Sequence, residues 1–171
     1  MFKNIAYFWM TLAVLLLDIF ILNQLSIAMW LRPMLFPLIV VLLPMEWRTI
    51  WVLVTSLAIG LIMDMSLGGA GLYTATLLPM AIMRRTILFV TTGRSVEAGD
   101  QSSLLSRMSL RQLMIYVGGM LFVHHTLFFI LEALSFGALL QLIATIIFST
   151  LLSLIMAWPI VRLFTSKIVT K

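Results

Sequence analysis

Gly60-Leu61-Ile62-Met63-Asp64-Met65-Ser66-Leu67-Gly68-Gly69-Ala70-Gly71 closes one long apolar run and opens the next. On a helix, Gly60, Asp64 and Gly68 fall at i, i+4 and i+8 and share one face. Glycines on such a face let a neighbouring helix come close. Asp64 on the same face must then be buried against protein, because a carboxylate facing lipid is costly. Gly68 to Gly71 supply the backbone freedom for a very short reversal. The stretch therefore predicts two antiparallel helices in a membrane, joined by a tight turn and carrying one buried charge.

Composition agrees. Of 171 residues, 63% are hydrophobic and 10% charged, an apolar fraction far above that of soluble domains. The expected fold class is an all-α integral membrane protein forming a single transmembrane domain over residues 1–171. With no cysteine, disulfides, iron–sulfur clusters and thiol catalysis are excluded. The net charge of +5 reads as membrane orientation rather than nucleic-acid binding, because the charges sit between apolar runs.

Working outward, the apolar runs predict six spans: 5–22, 27–45, 49–67, 71–89, 113–134 and 136–164. The length of the first and the presence of Asp18 argue for a retained span over a cleaved signal peptide, for which Ser26-Ile27-Ala28 would offer processing. The second carries Arg32-Pro33, Pro37 and Pro44, so it is expected to be short, kinked or partly re-entrant. Pro79 interrupts the fourth span and Arg84-Arg85 close its apolar part, snorkelling to the interface. Residues 90–112 form the one sizeable polar loop. There Leu104, Leu105 and Met108 with Arg107 and Arg111 allow a short surface helix. Trp158-Pro159 interrupts the sixth span.

With six spans, ten of the eleven Lys and Arg residues fall on one side and only Arg32 on the other. That bias places both termini and the 90–112 loop in the cytoplasm. Helical rise then sets depth. Asp18, Asp64 and His125 each lie roughly 20 Å or more from the cytoplasmic end of their span. Glu132 lies higher, and Arg32 enters at the same outer level. These five form a candidate outer polar layer, with Arg32 expected to neutralise Asp18 or Asp64 and His125 to hydrogen-bond another polar group. A metal held by His124, His125, Asp64 and Glu132 is possible by ligand type. Adjacent histidines on a helix point about 100° apart, however, which disfavours joint chelation. HExxH, GxSxG and P-loop motifs are missing. No catalytic, cofactor or metal residue is assigned.

Arg32-Pro33, then Gly60-x3-Asp64-x3-Gly68 with Gly71, then His124-His125-Thr126-Leu127-Phe128-Phe129-Ile130-Leu131-Glu132 occur in an order that resembles the rod shape-determining MreD family. Relatives can carry an Asp near the position of His125, so the chain departs there. The resemblance implies a non-enzymatic scaffold in the bacterial cytoplasmic membrane that helps position peptidoglycan synthesis during cell elongation. It implies an MreC-like periplasmic partner and cooperation with MreB, RodA and a class B penicillin-binding protein. It further implies a fold like the S-components of energy-coupling-factor transporters, and Asp18, Arg32, Gly60, Asp64, Gly68, Gly71, His125 and Glu132 as structural or interaction residues. The rival reading is a vitamin-binding S-component, which needs an outward pocket with aromatic walls.

Overall fold

The computed structural model describes residues 2–24, 31–44, 47–93, 108–133 and 139–165. Six α-helices lie in them: α1 (Phe2–Phe20), α2 (Pro37–Leu42), α3 (Thr49–Leu67), α4 (Leu72–Thr92), α5 (Leu110–Ala133) and α6 (Leu139–Phe164). A single 3-10 turn, Leu22–Gln24, follows α1. Helices α3, α5 and the Leu139–Leu163 stretch of α6 are each long and apolar enough to cross a membrane. The described residues are thus mainly helical, with three helices fit by length and composition to cross a membrane.

α3 packs chiefly on α4, α4 on α5 and α5 on α6, while α2 sits inside and touches α1, α3, α4 and above all α5. The inward faces follow helical spacing. On α6, Thr145, Ser149, Ser153 and Ala157 are all buried at intervals of four. Such a stripe of small residues brings backbones close in lipid, where helices gain nothing from hiding apolar surface from one another. The opposite faces carry exposed Ile50, Trp51, Val54 and Leu61 on α3 and Ile143, Ile147 and Ile155 on α6. Those side chains suit hydrocarbon.

The α3–α4 reversal is as short as expected. Gly68, Ala70 and Gly71 have φ of 70°, 48° and 91°, the left-handed region that glycine enters without a Cβ penalty. Gly68 ends α3 by donating its N–H to the Asp64 carbonyl. Gly68 and Gly71 therefore belong to the turn. A Cβ on either would meet nothing within 4 Å, which corrects the expectation that Gly68 forms part of a packing face. Gly60 does allow close approach: a Cβ there would lie 2.7 Å from the Thr74 Cα.

Several boundaries differ from expectation. Among its described residues the predicted second span is helical over the six residues of α2, and Arg32 to Leu35 are not helical. Pro33 and Pro37 each remove an amide donor, and a proline disfavours helical dihedrals in the residue before it. Its residues 27–30 and 45 lie outside the described set. Pro79 and Pro159, by contrast, lie inside continuous helices. α4 continues to Thr92 and α5 starts at Leu110, so both edges of the 90–112 loop are helical. The proposed surface helix falls mostly on residues outside the described set.

Candidate functional site: a polar layer around a buried segment

Residues Met34 to Leu43 are buried almost completely, each at 5% exposure or less where apolar. Buried backbone needs partners for every amide, and irregular backbone at membrane depth is tolerated only where protein surrounds it. Here the amides at the start of the segment can be followed. Arg32 N–H donates to Ser149 Oγ at 3.3 Å and Met34 N–H to Ser153 Oγ at 2.9 Å. Leu35 and Phe36 both donate to Asp18 Oδ2, at 2.9 and 2.5 Å. Leu38 and Ile39 donate to the Leu35 and Phe36 carbonyls. Pro33 and Pro37 have no N–H to satisfy.

The far end of α2 is closed by a different set. Tyr116 on α5 donates its hydroxyl to the Val41 carbonyl at 3.2 Å. Arg84 on α4 donates Nη2 to the Leu43 carbonyl and Nε to Tyr116 Oη. A short helix thus has a carboxyl oxygen accepting at its amino end and a guanidinium donating at its carboxyl end, the groups its unpaired backbone needs. Arg84 is 5% exposed, which corrects the reading that both arginines snorkel outward; Arg85 is the exposed one.

Asp64 plays a parallel part for α4. That helix begins after Gly71, which has no capping side chain. Asp64 Oδ1 accepts from Tyr73 N–H at 3.0 Å, and Oδ2 accepts from Thr74 N–H at 3.0 Å and from Thr74 Oγ1 at 2.6 Å. These amides are the second and third of the helix, those an ordinary N-cap side chain would satisfy. Gly69 makes the reach possible. A Cβ there would collide with the Tyr73 ring and lie 2.6 Å from Asp64 Oδ1.

His125 Nδ1 lies 2.8 Å from the Leu121 carbonyl and Nε2 lies 3.1 Å from Ser153 Oγ. A carbonyl only accepts, so Nδ1 carries the proton. Ser153, already accepting from Met34, donates to Nε2. His125 thereby braces the side chain that holds the buried segment. His124 Nε2 meets Thr76 Oγ1 at 3.2 Å, while its Nδ1 has no hydrogen-bond partner among the described residues. Around these rings Phe36 contacts Tyr73 and His124 with centroids 5.5 and 5.0 Å apart, and Phe128 contacts Tyr73 at 5.3 Å. This part of the interior is an interlocked aromatic cluster.

Arg32 pairs with Glu132 at 2.5 Å, not with Asp18 or Asp64 as expected. The two aspartates are engaged by backbone amides, so neither needs a cation to be satisfied. Of the expected layer, Asp18 and Asp64 are linked through Phe36 and Tyr73, His125 reaches the same segment through Ser153, and Arg32 at its start carries Glu132. Among the described residues no group of three or more His, Asp or Glu is placed to hold a metal ion. The His124 and His125 rings stand edge-on, 5.7 Å apart. Sequence reasoning missed Gly69, Thr74, Ser149, Ser153 and Tyr116. The four-residue spacing of Thr145, Ser149, Ser153 and Ala157 was the one signal that could have pointed to α6. Comparisons with protein-family models, with curated proteins and with solved structures find no match to this chain.

Proposed function

We propose that the chain is a non-enzymatic membrane scaffold of the bacterial cell-elongation machinery, similar to MreD. It would cross the cytoplasmic membrane six times with both termini inside and have an S-component-like fold. One observation favours this over the vitamin-binding rival: Phe36, Tyr73, His124 and Phe128 pack ring to ring in the interior. The acidic groups beside them hold backbone amides in place. The broken second span is compatible with six crossings. Residues 31–36 reach at most about 20 Å and α2 adds about 9 Å, close to the ~30 Å hydrocarbon core.

The partner is an MreC-like single-span periplasmic protein, working with MreB, RodA and a class B penicillin-binding protein. The protein should co-purify with the MreC-like partner in mild detergent, and its depletion should round rod-shaped cells. Recovery without that partner, with unchanged cell shape, would refute the scaffold reading; co-purification of a vitamin would favour the rival. Orientation is tested separately. Ser66→Cys, near the outer turn, should react with an impermeant thiol reagent in intact cells, and Ser109→Cys, before α5, should not.

A further inference from the structure

Between the start of α3 and the middle of α4 lies a small cleft of about 20 Å³. It is lined by the buried Val52, Ala81, Arg84 and Leu88 and by Trp47, Thr49 and Arg85, which are at least partly exposed. On α4 the residues at 81, 84, 85 and 88 follow helical spacing and share one face.

The level of this cleft is fixed by α3. That helix has 19 residues, about 28 Å of rise, which matches the hydrocarbon core. Thr49 is its first residue, so a guanidinium beside Thr49 sits at the membrane–water boundary. Lipid phosphates lie at that boundary, and tryptophan favours it. Arg84 is turned inward to the Leu43 carbonyl and Tyr116. Arg85 is exposed and supplies a donor fork facing the headgroups. The volume admits about one water-sized group, so the occupant is a surface ligand with one oxygen seated in the cleft and its bulk outside.

The geometry points to this cleft as a binding site for an anionic phospholipid, with the phosphate held by Arg85 and Thr49 and the acyl chains in the surrounding bilayer. The site is independent of any elongation partner.

The test uses the full chain in nanodiscs of phosphatidylcholine, alone or doped with phosphatidylglycerol. Lipid retention is read by native mass spectrometry and stability by thermal unfolding. Wild type should retain phosphatidylglycerol through detergent exchange and unfold at higher temperature in doped discs. Arg85→Gln should retain about fivefold less, while Arg85→Lys should keep most of it. Arg162→Gln, which removes an exposed charge elsewhere, should retain as wild type does. Equal retention by Arg85→Gln, or equal loss in Arg162→Gln, would overturn the site. Stabilisation of the detergent-solubilised protein by inorganic phosphate to the same extent would show a free-anion site and overturn the lipid assignment.

Discussion

At the α3–α4 turn a carboxylate reaches amides nine and ten residues onward; at the junction of α1 with α2 one reaches amides seventeen and eighteen onward. Both aspartates stand near the end of one helix and cap the beginning of the next. Asp64 acts within a tight hairpin whose geometry is set locally by Gly68, Gly69 and Gly71. Asp18 acts on a segment with no local support, because α2 is too short to be stable alone. The hairpin takes one side chain to cap its second helix. The buried segment takes Asp18, Arg84, Tyr116, Ser149 and Ser153, from four helices. How many distant side chains a helix start needs depends on how little of the local backbone can hold itself.

That contrast orders the expected effects of mutation. The largest loss should follow Asp18→Ala, which orphans two buried amides at about 1–3 kcal/mol each. We expect about 4 kcal/mol, read as a lower unfolding midpoint and reduced abundance in the membrane. Arg84→Met should come next, at about 3 kcal/mol, because the Leu43 carbonyl and Tyr116 hydroxyl lose a charged donor. Asp64→Ala should cost about 2 kcal/mol, the upper end for an N-cap, with Asp64→Asn milder because the amide oxygen still accepts. If Asp64→Ala proves as damaging as Asp18→Ala, the two junctions are equivalent and the contrast fails.

Gly60→Ala should cost about 1–2 kcal/mol, since the new methyl meets Thr74 backbone and α3 and α4 must part. Smallest of all is Glu132→Gln. Its pair with Arg32 is short, but the two side chains are 36% and 57% exposed, and exposed pairs contribute about 0–1 kcal/mol. Thermal unfolding should barely move; a loss near that of Asp64→Ala would show that the pair clamps the buried segment.

Much of the scaffold was legible in the sequence. Long apolar runs announced α3, α5 and α6, and Gly60 with Asp64 announced the α3–α4 contact. The partners of the charges were not legible. An arginine at the edge of an apolar run reads the same whether it snorkels out or turns in, and the Leu43 carbonyl that turns Arg84 inward is 41 residues away. Ser149 and Ser153 lie 117 and 119 residues from the amides they satisfy, so no local pattern linked them. Arg32 was paired with the wrong carboxylates because both aspartates were treated as charges seeking a cation, when backbone amides already occupied them.

The buried segment also sets a schedule for synthesis. Asp18 precedes residues 31–44 and is present when they emerge. Arg84 and Tyr116 come later, and Ser149 and Ser153 come last. Until α6 arrives, the amides of Arg32 and Met34 have no serine to meet, and hydrocarbon offers none. The buried segment can thus mature only once α6 is in place, though it is made before α3. A nascent chain halted before α6 should hold that segment at the membrane surface, accessible to protease, and release of the final helix should draw it in.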